Sequence, residues 1–233
     1  MPTFYLPGYP VSMCICYYPD VKLTLVWSKK HGVWIELDQV EAETKVLPTR
    51  AYPAYPGPIV IPGGPGKQGE LVIGQWGSIP FWASDASFGK KSGYNARSET
   101  LLEKPTWRKA FLERRCVVPI RAFYERDNGR WLRFMRSDGD LMAVAGLFED
   151  PNKFSDVPTY ALVTTDPNEV VSQIHDRMPV VLNDEDMRLW LEPQTELNEL
   201  RALLAPSGAA GMLMQDAGPI RKPGELKGAL EPL

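Results

Sequence analysis

Cysteine and histidine are scarce here, three of one and two of the other in 233 residues. An odd number of cysteines in a chain this size makes no disulfide framework. A zinc centre would need four of Cys14, Cys16, Cys116, His31 and His175 to converge, and Cys14-x-Cys16 lacks the spacer of the usual knuckles. No metal and no organic cofactor is implied. Lysine and arginine are absent from the first twelve residues, MPTFYLPGYPVS, which hold three prolines instead. That segment has neither the basic start nor the apolar middle of a secretory signal. No apolar run approaches the length of a membrane span. No membrane partner is therefore expected, and the simplest setting is a reducing cytoplasm, on the nucleoid if the source is bacterial.

The length suits one large domain or two small ones, and 44% hydrophobic with 24% charged residues is ordinary for a globular chain. Short runs rich in Val, Ile, Tyr, Phe and Trp predict strands at Lys22–Trp27, Val33–Leu37, Leu71–Trp76, Cys116–Tyr124, Arg130–Arg136, Leu141–Phe148 and Tyr160–Thr165. Asn128-Gly129 and Asp138-Gly139 separate successive runs, so Cys116–Phe148 reads as a three-stranded antiparallel meander. Helical spacing is found at Pro105–Arg114, at Pro167–Ile174 after Asp166, at Asp184–Leu191 with Asn183 as cap, and at Glu196–Leu204. The fold class that follows is α+β: a mainly antiparallel, curled or barrel-like sheet flanked by a few short helices. Residues 48–69 are rich in proline and glycine, either a linker or an ordered loop, and their Tyr52, Tyr55, Ile59, Val60 and Ile61 favour the loop. The tail from Gly208 is expected to wrap the surface as an irregular strand or loop.

Charge is distributed unevenly. Residues 90–136 hold 13 of the 26 basic residues against five acids, a local +8 in a chain of net −3. Such a run is either a solvated face or an anion site for phosphate. Cys14 follows Met13. Were it the terminal residue, its α-amine, with a pKa near 7.7–8.0, would be partly unprotonated at neutral pH and could condense with an aldehyde. Its thiolate could then close on the imine carbon to a five-membered thiazolidine. An internal Cys14 could not react so, because its nitrogen would be an amide; the alternative is a chance Met-Cys dipeptide. His175 lies in a polar His-Asp-Arg cluster wedged between apolar runs, costly unless paired or used. Glu125 ends an apolar run beside Phe123 and Tyr124, where a raised pKa would suit proton transfer, or it is a turn acid paired with Arg126. Asn95 and Arg97 alternate on an extended segment, so their side chains would face one way, Asn to hold a backbone group and Arg to fork onto phosphate.

Taken together the motifs resemble the SOS-response-associated peptidase family, also described as abasic-site processing proteins. The matching stretches are Met13-Cys14, YNARSET at Tyr94–Thr100, RRCVVPIRAFYE at Arg114–Glu125, AGLFE at Ala145–Glu149 and TTDPNEVVSQIHDRMPVVL at Thr164–Leu182. YPAYPG at Tyr52–Gly57 and GQWGSIPFW at Gly74–Trp82 are looser echoes. The resemblance implies that Cys14 bonds the aldehyde of an abasic sugar in single-stranded DNA, Asn95 orients the cysteine, and Arg97 binds a phosphate. It implies that Glu125 moves protons and helps remove the peptide ahead of Cys14, and that His175 assists ring opening and reversal. Pro56, Trp76 and Thr164 fall where the family touches DNA, and Trp76, Trp82, Phe123 and Tyr124 would offer stacking platforms. Residues 1–13 would be a leader or a mis-assigned start, with 14–233 a single domain acting as a monomer. The chain departs from the family's usual Met-Cys-Gly-Arg opening, since Ile15 and Cys16 follow Cys14. Two rival functions are a cysteine peptidase acting in trans through Cys14 and His175, and a non-catalytic single-stranded-DNA-binding module.

Overall fold

Strand β5 (Arg115–Ile120) is buried along its whole length, because its two faces serve two different cores. Val117 points to one; Cys116, Val118 and Ile120 point to the other. A computed structural model describes residues 17–19, 21–33, 51–64 and 69–218. Around β5 it places an eight-stranded sheet that closes on itself. The ring runs from β9 (Thr159–Thr165) to β3 (Glu70–Trp76), β2 (Pro56–Ile61), β5 and β8 (Met142–Glu149), and back to β9. The short strands β4 (Asn95–Arg97), β10 (Met178–Pro179) and β11 (Val181–Leu182) extend it. Among the described residues only the β3–β9 and β4–β9 pairings are parallel. A second, antiparallel sheet has the order β1 (Tyr17–Tyr18), β6 (Ala122–Asp127), β7 (Arg130–Arg136), β12 (Met212–Asp216). The α+β class with a curled, ring-forming sheet is thus as expected from the sequence.

The first core lies under the helices, with Trp107, Phe111, Met187 and Trp190 packed on Val117, Ala145 and Val163. The second lies between ring and second sheet, where Tyr17, Trp76, Phe123, Phe134 and Tyr160 meet. The helices Pro105–Glu113, Asp184–Leu191 and Leu197–Ala202 fall where their spacing predicts. Asn183 caps its helix by accepting the N–H groups of Glu185 and Asp186, both at 2.9 Å. Asn183→Ala should therefore lower the unfolding free energy by about 1 kcal/mol, read from urea denaturation.

Four expectations need correction. Lys22–Trp27 is not a strand but part of the helix Val21–Lys30. Among its described side chains the buried ones are Thr24, Trp27, Ser28 and, just past its end, His31, at helical spacing but three of the four polar, so hydrophobic periodicity misses it. The Cys116–Tyr124 run breaks at Arg121 into β5 and β6, which belong to different sheets. β8 pairs with β5 rather than β7, so the meander reduces to the β6–β7 hairpin. Its turn residues Asn128 and Gly129 both have positive φ, 45° and 87°, as a primed turn requires. Pro167–Ile174 contains only a 3-10 turn at Val171–Gln173, because the Asn168 side chain takes the N–H groups of Val170 and Val171. The proline-rich stretch 48–69 supplies β2, a full ring strand paired with β3 over six positions. The run at Val33–Leu37 lies outside the described residues beyond Val33, as does the tail from 219. No described helix is long and apolar enough to cross a membrane.

Candidate active site

Glu125, near the end of β6, is only 4% exposed. Its Oε2 lies 3.9 Å from His175 Nε2, and its Oε1 has no hydrogen-bond partner among the described residues. Burial pushes this carboxyl well above the ordinary carboxylate range, and the nearby charge of Asp176 adds to the effect. Glu125 is thereby biased toward its neutral, proton-donating form. His175 Nδ1 lies 3.0 Å from the backbone nitrogen of Arg177 and 3.2 Å from its carbonyl oxygen, while Nε2 is the nitrogen facing Glu125. The two side chains that the sequence marks for proton transfer, 50 residues apart, are thus brought together.

β4 delivers the other pair. It lies parallel to β9, with Asn95 opposite Leu162 and Arg97 opposite Thr164. Ala96 joins the helical core, so Asn95 and Arg97 share the opposite face, Asn95 buried and Arg97 exposed. A link between this arm and His175 escapes the sequence reading. The guanidinium of Arg177 grips both carboxylate oxygens of Glu99, the carboxylate of Asp166 at 3.2 Å and the carbonyl of Thr164 at 2.7 Å. Glu99 and Arg177 belong to the two most distinctive motifs, NARSET and IHDRMPV. A nearly buried arginine demands a carboxylate partner, which is the signal that could have paired them.

The proposed DNA contacts separate into covered and open residues. Pro56, Trp76 and Thr164 are all buried. The Trp76 indole donates to Tyr94 O at 2.7 Å and packs between Tyr17 and Tyr94. Phe123 stacks on Phe134, with centroids 4.9 Å apart, and Tyr124 is also buried. These residues belong to the packed interior rather than to an exposed platform. Among the four aromatics expected to stack on bases, only Trp82 is exposed. Beside it lies the still more exposed Phe81, which the reading overlooked. Consecutive large aromatics after Pro80, in a segment with no strand alternation, are the available clue. Their loop is anchored by contact of Gly77 on Gly89, where an added Cβ would sit 2.8 Å from backbone carbon and where φ is +123°. Trp82 meets Phe88 edge-on, on the helix Ser87–Ser92 that carries Lys90 and Lys91.

Much of the basic segment is structural. Arg115 is buried and donates to the carbonyls of Phe111, Leu112, Trp190 and Glu192. Arg114 binds Glu149, Arg130 binds Asp127, and Arg136 binds Asp138. Arg97, Lys104 and Arg108 make no ion pair among the described residues. Burial pushes the Cys116 thiol far up, so it is an inert core group. His31 bonds Trp27 O and Asp184 at the end of its helix. Cys14 lies outside the described residues, together with 1–13, Ile15 and Cys16.

Comparison with known proteins adds three findings. Residues 22–217 match the family model described as SOS response associated peptidase (SRAP). The chain is 40% identical over 167 residues to the abasic site processing protein YoqW of Bacillus subtilis (strain 168), covering 66% of this chain and 70% of that one. It is 32% identical over 150 residues to the abasic site processing protein HMCES of Xenopus tropicalis, covering 52% and 45%. A crystal structure of a Bacteroides thetaiotaomicron protein shares the fold, with a TM-score of 0.75 at 24% identity over 87% of this chain and 91% of the other.

Proposed function

This chain belongs to the SOS response associated peptidase family, and from that premise we propose that it captures abasic sites in single-stranded DNA as a thiazolidine on Cys14. The observation that carries the reading is the buried, proton-biased Glu125 facing His175, on the strand β6 whose partner β1 begins three residues after Cys14. Tyr17 pairs with Phe123, two residues before Glu125. Covalent geometry keeps Cys14, three residues upstream, within about 11 Å of Tyr17. The curated relatives named for abasic-site processing supply the substrate class.

The chemistry begins with hydrolysis of the peptide bond ahead of Cys14, which frees the α-amine, whether the residue removed is Met13 alone or a longer leader. His175 relays the proton that opens the sugar hemiacetal to its aldehyde. The amine adds to the carbonyl carbon, and Glu125 gives a proton to the departing hydroxyl, so one water leaves and an imine forms. The thiol sulfur then bonds the imine carbon while its proton passes to nitrogen. Asn95 orients the cysteine backbone and Arg97 holds a phosphate. A missing base removes the unstacking cost that a flipped base would impose.

Phe81 and Trp82, exposed on the loop before the helix that carries Lys90 and Lys91, suit unpaired bases next to the lesion. Trp82→Ala should weaken binding of single-stranded DNA by about 1–3 kcal/mol in a fluorescence-anisotropy titration, while the capture rate at saturating DNA stays near wild type. The function itself is tested with two oligonucleotides, one abasic and one bearing a tetrahydrofuran analogue that cannot open to an aldehyde. A band that survives denaturation should appear with the first only. Equal bands with both, or none with either, would refute covalent capture, and cleavage of unrelated peptides would support the peptidase in trans.

A further inference from the structure

The hydroxyls of Tyr17 and Tyr160, 143 residues apart, hydrogen-bond to each other where both side chains are fully buried. We propose that this hydroxyl pair is a positioning device for the reaction, fixing the register of the N-terminal strand so that Cys14 enters the site at one depth. The inference rests on the covalent-capture reading.

β1 has only two residues, so its ladder to β6 gives it little resistance to slipping. What it has instead is a keyed side chain. The backbone of Tyr17 is held on two sides, by Phe123 of β6 and by reciprocal hydrogen bonds to Ala51 at 3.2 and 2.9 Å. Its side chain crosses to Tyr160 on β9, four residues before Thr164. The ring also packs on Trp76 at 5.0 Å, and Trp76 donates to the carbonyl of Tyr94, the neighbour of Asn95. One residue thus touches the supports of Glu125, of Asn95 and of β9. The pair is fitted against bare backbone, because a Cβ added at Gly57 would overlap both hydroxyl oxygens. Slippage would leave the Tyr160 hydroxyl buried without its partner, which the interior penalises. Burial, and then Tyr17, hold the Tyr160 phenol well above its ordinary range, so the pair stays neutral and supplies geometry, not proton transfer.

The test compares Tyr17→Phe, Tyr160→Phe and the double variant in the full chain. Tyr17→Phe takes from the buried Tyr160 hydroxyl the partner it has here and should lower the melting temperature; the double change removes both hydroxyls and should restore it close to wild type. Affinity for tetrahydrofuran-containing single-stranded DNA should be unchanged in the double variant. Its first-order rate of adduct formation on saturating abasic DNA should nevertheless fall about tenfold or more, because misplacement on the ångström scale is costly in rate. Gly57→Ala, which parts the hydroxyls without removing either, should slow capture likewise. Wild-type speed in the double variant, or a slowing that only follows lost folding or binding, overturns the inference alone. A wild-type protein that forms no adduct overturns the capture reading and this inference with it.

Discussion

Cys14→Ser, expressed from Met13 so that the residue can become terminal, is expected to form no adduct that survives denaturation. It should still yield a covalent band when borohydride is present during the reaction. Serine keeps the α-amine, so the imine with the sugar aldehyde forms, and hydride reduction makes that bond permanent. What serine lacks is the soft sulfur that closes a durable ring. The pattern separates three readings. A thiol-only nucleophile would lose both bands, a lysine elsewhere would lose neither, and a non-catalytic binding module would show neither even in the wild type. Cys14→Ala should resemble Cys14→Ser with borohydride and form no stable adduct without it.

Glu125→Gln should slow capture by about a hundredfold or more, the usual contribution of a positioned acid, and should change the shape of the pH profile. In the wild type the rate rises as the α-amine loses its proton, over the range around 7.7–8.0. It falls once pH passes the raised value of Glu125, because the donor is then ionised. The variant should keep the rising limb and lose the falling one. Stability carries the same signature with its own sign. A buried carboxyl whose folded value is raised binds more protons folded than unfolded, so its contribution is complete below the unfolded value near 4.3 and declines as pH rises through the folded value. Glu125→Gln should therefore melt like the wild type in acid and above it at neutral and alkaline pH. A variant that loses stability at high pH would show that Glu125 is ionised and paired in the folded protein.

The parts of the site legible in the sequence are those whose signal is local. Asn95 and Arg97 alternate on a strand, and alternation survives folding unchanged, so their shared face is readable. Glu125 ends an apolar run, and that run is buried. The pairing of Glu125 with His175, and of Glu99 with Arg177, depends on how β6, β4 and the loop after β9 converge, and no local pattern encodes that. The aromatic platform shows the opposite failure. Trp76, Phe123 and Tyr124 look like stacking surfaces in the sequence because aromatics serve cores and nucleic acids equally; only burial distinguishes them, and it leaves Phe81 and Trp82 outside. The helix Val21–Lys30 was hidden because three of the buried side chains described there, Thr24, Ser28 and His31, are polar. β2 was hidden because prolines and glycines mask a strand whose Ile59 and Val60 are wholly buried.

The most direct measurement is mass spectrometry of the adduct after nuclease and protease digestion. Capture by both groups of one residue predicts a peptide that begins at Cys14 and carries the sugar remnant less one water, with no free thiol on that cysteine. A reactive protein whose adduct peptide still bears Met13, or whose sugar sits on another residue, would contradict it.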